Sequence, residues 1–480
     1  MRRSRLAIGA LCASLAALQL AAFHWGVITP DSVVQYGQAL SGRYDDWHPP
    51  VTAWLWRQLL HLGPGGAPFL LFDIMLYWGA IGLIAGKLRA RHGFAAGVVP
   101  ILFAVLPIPF GQIGAILKDP LMACLLLMAT ALLVLAEYAR PVFPPSSQRS
   151  PGSQEDMGTR QAPREPGLRR GCAKALAFLL ILIAAATRFN ALFAAAPLLM
   201  LAGPGARMKR PLHFVASATS VAVLLVASNW VINQALLRPS HSHPLYSLIN
   251  FDLAGIVAHG GPNVYPALDD ATARRLTTHC YDPRLYGAKD ETVCAQPEDS
   301  IADHVARTGD SAVGIWLNAV IRAPGPWLRH RLAHLDWNWR LRVPAVPDDA
   351  VYMMSEPNDL GLHFTPNPLT RAVVGAARLM AASPIGRPAT WLAIALGLLI
   401  VAPRLPSRGI VTALAASALL YGGGYALVSV APDLRYNLWT MLAVMMGLAI
   451  ALAERASVGR MRLVSACLPA VLVTIVEMSA

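Results

Sequence analysis

The chain has 480 residues, 55% of them hydrophobic and only 14% charged, with a formal net charge of +13. A soluble domain carries about 25% charged residues, so this composition excludes an ordinary soluble globular protein. The positive balance does not point to nucleic acid: much of the excess sits in short loops between apolar runs, as the positive-inside bias predicts, and no basic patch with interleaved aromatics stands apart.

Apolar runs of about 15–25 residues recur along the chain, each able to span a bilayer as a helix. The start, "MRRSRLAIGALCASLAALQLAAF", has the basic head and apolar core of a signal peptide. Its run is long for one and the chain stays apolar beyond it, which favours an uncleaved first helix over Leu6–Ile28 with Arg2, Arg3 and Arg5 in the cytoplasm. That helix delivers "DSVVQYGQALSGRYDDWHPP", Asp31–Pro50, to the outer side. A second helix over Pro68–Gly86 returns to the basic "KLRARHG". A third, Phe94–Phe110, leads out to "GQIGAILKD", and a fourth, Pro120–Glu137, comes back. Residues 139–172 are rich in Pro, Ser, Gly and Arg and cannot bury a core, so they read as a disordered cytoplasmic linker.

The stretch Ala173–Leu201 is too long for one span and holds Arg188 and Asn190 at its middle. A single helix would put one of two basic flanks outside and an Arg at mid-bilayer. A hairpin of two short helices keeps both flanks inside and sets "TRFN" at the outer face. A helix over Leu212–Leu236 then leads to a long, mixed outer segment. Four more helices follow: Trp391–Val401, Ile410–Val430, Leu438–Leu452 and Leu463–Val476, with "APDLRYN" outside. The expected fold is an all-α polytopic membrane protein of about eleven transmembrane helices. It divides into a membrane module over 1–237 with a first outer loop at 29–67, a periplasmic domain over 238–387, and C-terminal helices over 388–480.

Cys280 and Cys294 are the close pair in the outer segment, where an oxidising compartment would permit a disulfide; two free thiols are the alternative. "HSHP" at His241–His243 lacks a third ligand nearby and is a weak zinc signal.

Four polar clusters fall at one outer face: the Asp31–Pro50 loop, Lys118–Asp119, Arg188 with Asn190, and Asp433 with Arg435 and Tyr436. Charged groups at such positions are costly and often mark substrate pathways. Carboxylates can take a proton from an attacking hydroxyl or hold a divalent cation, and Arg and Lys can grip a phosphate. Each residue also has a plainer reading. Asp31 could cap a helix, since "TPDS" reads as a turn. Asp45 and Asp46 could line a solvated loop, and His48 could fill the turn before two prolines. Lys118–Asp119 could be a surface ion pair. Arg188 and Arg435 could snorkel to headgroups.

Taken in order, the first outer loop from Asp31 to "HPP" at His48–Pro50, "KD" at Lys118–Asp119, "RFN" after a short helix, and "DLRY" near the C-terminal helices resemble the GT-C superfamily of integral-membrane glycosyltransferases. Its members include protein O-mannosyltransferases and lipid A aminoarabinose transferases. The resemblance covers roughly 1–236 and 391–452 and rests on the order and sidedness of the motifs, none of which is specific alone. It implies inverting transfer of a sugar from a polyprenyl-phosphate donor to an envelope glycan, lipid or protein, at the periplasmic face of a bacterial inner membrane. It implies Asp31 as the base, Asp119 as a second acid and Arg435 as a phosphate ligand. Where many relatives carry an adjacent acidic pair this chain has "DS", so Asp45 or Asp46 could share the base role. With them, His48, Lys118, Arg188, Asn190, Arg435 and Tyr436 form the expected substrate contacts. The rival readings are a transporter or flippase of a lipid-linked or anionic solute, and a non-catalytic envelope assembly protein. The two halves show no clear repeat of the kind transporters often carry.

Overall fold

In lipid a helix satisfies its own backbone within one segment, and apolar runs of this length have no other single-segment solution. A computed structural model describes residues 2–138, 165–203, 211–287 and 291–479. The chain opens with α1 (Arg2–Phe23) and two short helices, α2 (Pro30–Ser41) and α3 (Val51–Leu59). Next come α4 (Ala67–His92), α5 (Phe94–Ala104), α6 (Pro107–Gln112) and α7 (Lys118–Tyr138). They are followed by α8 (Glu165–Ala186), α9 (Ala191–Ala202) and α10 (Pro211–Trp230), which runs into a π-helical turn at Val231–Leu236. The long segment holds α11 (Leu245–Ala258), α12 (Asp270–Cys280), α13 (Glu291–Thr308), α14 (Ala312–Arg322), α15 (Pro324–Trp339) and α16 (Pro368–Ala381). Last are α17 (Pro388–Val401), α18 (Arg408–Gly424), α19 (Leu438–Ala453) and α20 (Arg460–Met478). Among the described residues β-pairing is limited to three isolated bridges.

Each apolar run expected to span is helical. Among the described residues five helical stretches are long and apolar enough to cross a membrane unaided: α4, α7, α10 with its π turn, α19 with the turn before it, and α20. α7 and α19 are 72% and 78% buried within the protein, whereas α10 and α20 are 6% buried. The first two form the centre of the bundle, and the others present their apolar sides outward. α7 packs between α4 and α8, and α19 lies against α18 and α17.

Several boundaries differ from the sequence reading. α1 ends at Phe23 rather than Ile28, because Gly26 takes a left-handed φ of 99° and turns the chain. The third expected helix breaks into α5 and α6: Leu106 precedes Pro107 and adopts ψ 137°, outside the helical region. The hairpin forms, with α8 and α9 separated by a turn at Thr187–Asn190. Of the expected linker, 139–164 lies outside the described residues, while α8 already begins at Glu165.

The long segment has its own apolar core, which includes Ile249, Leu253, Ile256, Ile301, Ala319 and Ala323. Cys280 and Cys294 are disulfide-bonded, with Cα atoms 5.7 Å apart, joining the end of α12 to α13. Closing a loop of this size stabilises by about 3 kcal/mol. Changing both cysteines to Ser is expected to lower the stability of this segment by that order, read as earlier cleavage in pulse proteolysis. Equal cleavage with and without reductant would contradict it.

A buried charge network crosses this core. Asp252 accepts from Trp316 Nε1 (2.6 Å) and faces His330 Nε2 (3.0 Å) and Arg331 Nε (2.6 Å). Arg331 also donates to Ser429 O at 2.8 Å, tying the segment to the loop after α18. His334 Nδ1 lies 2.7 Å from Pro283 O. Burial pushes the His334 imidazole down to about 3, helped by the Arg331 charge and opposed by the Pro283 contact. Burial also lowers His330, against the pull of Asp252. Both rings therefore stay neutral where the unfolded chain takes up protons, so stability is lost as pH falls below the unfolded value of about 6.5. His334 alone accounts for about 2 kcal/mol between about pH 6.5 and 5. Thermal unfolding across that window should show the fall, and His334→Gln should flatten it; an unchanged slope would count against this account.

Candidate active site

Short backbone pairings bring three distant segments side by side. Val27 pairs with Ala115 and Ile28 with Ser355. Val27 N–H donates to Gly114 O (2.9 Å), Ile116 N–H to Val27 O (3.1 Å) and Glu356 N–H to Ile28 O (3.0 Å). Just beyond these pairings two helices begin, α2 at Pro30 and α7 at Lys118.

The cap of α2 is Thr29. Its Oγ1 accepts from Ser32 N–H (3.3 Å), and Ser32 Oγ accepts from Thr29 N–H (3.0 Å), a reciprocal capping box. Ser32 Oγ donates onward to Ile116 O at 2.7 Å, which locks α2 to the strand-like segment before α7. Asp31 is thus not the cap. It lies in the first turn of α2, where a carboxylate is favoured by the helix dipole, as Asp119 does in α7.

Asp31 Oδ2 accepts from Lys118 Nζ at 2.9 Å and lies 3.5 Å from Arg435; Oδ1 is 3.4 Å from His48 Nε2. Asp119 forms an ion pair with Arg188 and lies 3.9 Å from Arg435 Nε. Arg435 also pairs with Asp433 at 2.9 Å. Arg188 Nε donates to Asn190 Oδ1 (3.1 Å), and its guanidinium sits 4.3 Å from the centre of the Tyr436 ring. Arg435 lies over Tyr352 and Tyr436, and Tyr352 OH donates to Asp433 Oδ2 at 3.2 Å. Three cations and three carboxylates thus alternate at one end of the bundle. Largely buried charges persist only when paired this closely.

Burial opposes ionisation of Asp31, but the His48 hydrogen bond and the Lys118 and Arg435 charges outweigh it and hold the carboxyl far below its ordinary range. Burial lowers the His48 imidazole, the Lys118 and Arg188 charges add to this, and Asp31 only partly offsets them. His48 is therefore a neutral partner that orients an ionised Asp31.

Beside this cluster is a cavity of about 460 Å³. His48, Lys118, Arg188, Asn190, Tyr425 and Tyr436 are among its walls, and Lys118 and Arg188 are the charged residues lining it. Its charged lining is therefore wholly cationic, suited to an anionic group.

Asp45 and Asp46 stand apart from the cluster. Asp45 accepts from Gln38 Nε2 (2.8 Å) and from Trp47 N–H (3.1 Å). Asp46 accepts from Ser242 N–H (2.6 Å) and meets His241 Nδ1 at 2.9 Å. The Asp46 side chain braces the first loop against the segment after α10, whereas the side-chain bonds of Asp45 stay within the loop and its backbone bridges to Ser240. His243 stacks on Tyr246, so the "HSHP" rings have protein partners. Among the described residues no three His, Cys, Asp or Glu side chains gather as a metal-ligand set.

Two site residues carry no signal in the sequence. Tyr352, in the irregular part of the long segment, supports Arg435. Asn233, in the π turn, accepts from Val51 N–H (3.2 Å) and donates to Ala186 O (2.8 Å), tying the start of α3 to the end of α8.

No family model and no curated relative matches the chain. Among solved structures it is similar to ArnT from Cupriavidus metallidurans bound to undecaprenyl phosphate: 14% identity, 94% of this chain and 77% of that one, TM-score 0.32. It is also similar to the archaeal oligosaccharyltransferase AglB from Archaeoglobus fulgidus, in complex with an inhibitory peptide and a dolichol-phosphate. Here identity is 14%, the match covers 100% of this chain and 56% of that one, and the TM-score is 0.38. At these identities and scores neither likeness assigns an activity to this chain.

Proposed function

We propose that the chain is a membrane glycosyltransferase that moves a sugar from a polyprenyl-phosphate donor to an envelope glycan, lipid or protein at the periplasmic face of a bacterial inner membrane. The observation that carries this reading is the alternating cluster of Asp31, Asp119 and Asp433 with Lys118, Arg188 and Arg435, set beside a cavity whose charged lining is wholly cationic.

The chemistry follows from the pairing. In its present pairing Asp31 is a weak base, because three partners stabilise its charge. A donor phosphate bound by Lys118, Arg188 and Arg435 would compete for those cations and draw them from the carboxylates. Asp31 would then lose stabilising charge and gain proton affinity. It would take the proton of the acceptor hydroxyl as the new bond forms to the anomeric carbon and the bond from that carbon to the phosphate oxygen breaks. Inversion at that carbon is the expected outcome of a single displacement. The polyprenyl phosphate would leave with added negative charge, stabilised by the same cations. Asp119 would hold Arg188 in place, and Asp433 would do so for Arg435.

The test is deletion of the gene in its host, followed by mass spectrometry of envelope glycans and glycolipids. Loss of one sugar mass, restored by the wild-type chain, is the expected result. Unchanged glycans with altered movement of a lipid-linked solute would sink this reading in favour of a transporter or flippase.

A further inference from the structure

A second cavity, of about 350 Å³, lies where the long segment meets the loop before α19. Asp282, Arg284, Trp337, Arg340, Asp349 and Asp433 line it. Its charge is balanced, unlike that of the first: Asp282 pairs with Arg284 at 2.9 Å, Asp349 with Arg340 and Asp433 with Arg435. It shares a wall with the catalytic cluster, because Asp433 pairs with Arg435 at 2.9 Å and Arg435 in turn lies 3.5 Å from Asp31.

Three features mark it as a binding site. Trp337 is an aromatic wall, with the Arg284 guanidinium 5.1 Å from its ring centre. Asp349 Oδ2 is engaged by Arg340 and by Leu434 N–H at 3.3 Å, while Oδ1 is buried with no hydrogen-bond partner. A buried acceptor oxygen left unmatched is costly, and a ligand hydroxyl would relieve it. The wall at 281–285 is also pinned. The disulfide holds Cys280, Tyr281 OH meets His330 Nδ1 at 2.9 Å, and Pro283 O meets His334 Nδ1 at 2.7 Å. A wall fixed before binding lowers the ordering cost of taking a weak ligand.

We propose that this cavity is the acceptor subsite and takes an uncharged sugar ring, stacked on Trp337 with its hydroxyls donated to the carboxylates. The assignment as acceptor subsite rests on the transferase reading; the preference for an uncharged ring rests on the cavity itself. Carboxylates accept hydroxyl protons, guanidiniums donate to ring and hydroxyl oxygens, and an aromatic face suits the apolar face of a sugar. Both guanidiniums here are already held by carboxylates, which disfavours a phosphate or a uronic acid, whereas the first cavity is lined by cations alone and favours the donor phosphate. The two substrates are thereby directed to different cavities.

The test is saturation-transfer NMR on the full chain in lipid nanodiscs, with methyl glucoside, mannoside, galactoside, N-acetylglucosaminide and glucuronide as ligands. At about 5 mM ligand, at least one neutral glycoside should take up saturation, and the glucuronide at least about five-fold less. Trp337→Ala should lower the neutral signal about five-fold or more, and Trp337→Phe should keep about half. No transfer to any neutral glycoside, a preference for the glucuronide, or a neutral signal that survives Trp337→Ala overturns the proposal. Glycan analysis separates this from the transferase reading. If Asp31→Asn restores the full glycan while glycosides still bind at Trp337, transfer through Asp31 fails and the sugar site stands.

Discussion

Replacing Asp31 by Asn is expected to abolish transfer: envelope glycans fall to the deletion level while membrane abundance stays at that of wild type. The substitution keeps the shape of the side chain, turns one of its two acceptor oxygens into a donor NH2, and removes the charge and the basicity. A positioned general base contributes roughly 10²- to 10⁴-fold, which is enough to erase product in a growing culture. The same change leaves Lys118 and Arg435 with one fewer carboxylate, so the cluster becomes more cationic. Binding of the lipid phosphate should hold or tighten while turnover collapses, a split that simple unfolding would not produce. If the Asn variant instead restores all product, the role of Asp31 shrinks to a first-turn acid. Such a residue is worth roughly 0.3–1 kcal/mol to its helix, and the proposed mechanism then fails.

The second large effect is on stability as well as activity. Arg188→Ala strands Asp119, which is 1% exposed and has Arg435 only at 3.9 Å as a remaining cation. Breaking a buried ion pair from one side costs about 3–5 kcal/mol, because the abandoned charge stays in a poor solvent. The variant should melt well below wild type in nanodiscs and give no product. Adding Asp119→Asn should recover most of the stability and none of the activity. Arg188→Lys should also fail to rescue transfer: one guanidinium serves Asp119, Asn190 and the Tyr436 ring together, and an ammonium has no planar fork to do so. Normal melting and a normal glycan profile in Arg188→Ala would mean that the side chain only reaches for headgroups.

Some of this was readable along the chain. The hairpin at Arg188 followed from two basic flanks that could not both stay inside if the segment crossed once, and α8 and α9 do break there. The candidate partners at the other helix ends were visible as polar residues where apolar runs stop. Their ranking was not. Asp45 and Asp46 carry the same charge as Asp31 and sit in the same loop, yet they bond to Gln38 and to Ser242 with His241. Asp31 enters the cluster because Thr29 does the capping and the bridge to Ala115 aims α2 at α7. Tyr352 and Asn233 had no local mark, since nothing in their neighbours says that an arginine or two helix ends lie against them.

The sequence by itself determined the class of molecule and roughly where its apolar helices lie, and it marked Cys280 and Cys294 as a close pair that the structure shows to be bonded. Those properties come from the bilayer and from short-range chemistry, which act on each stretch of chain independently of the rest. Only the tertiary structure decided which charges meet, that Lys118 reaches Asp31 across 87 residues, and that Asp433 in the wall of the second cavity pairs with the Arg435 of the cluster. Such contacts depend on helix packing and on a few backbone bridges between distant segments, and a buried charge takes its meaning from the partner that packing supplies.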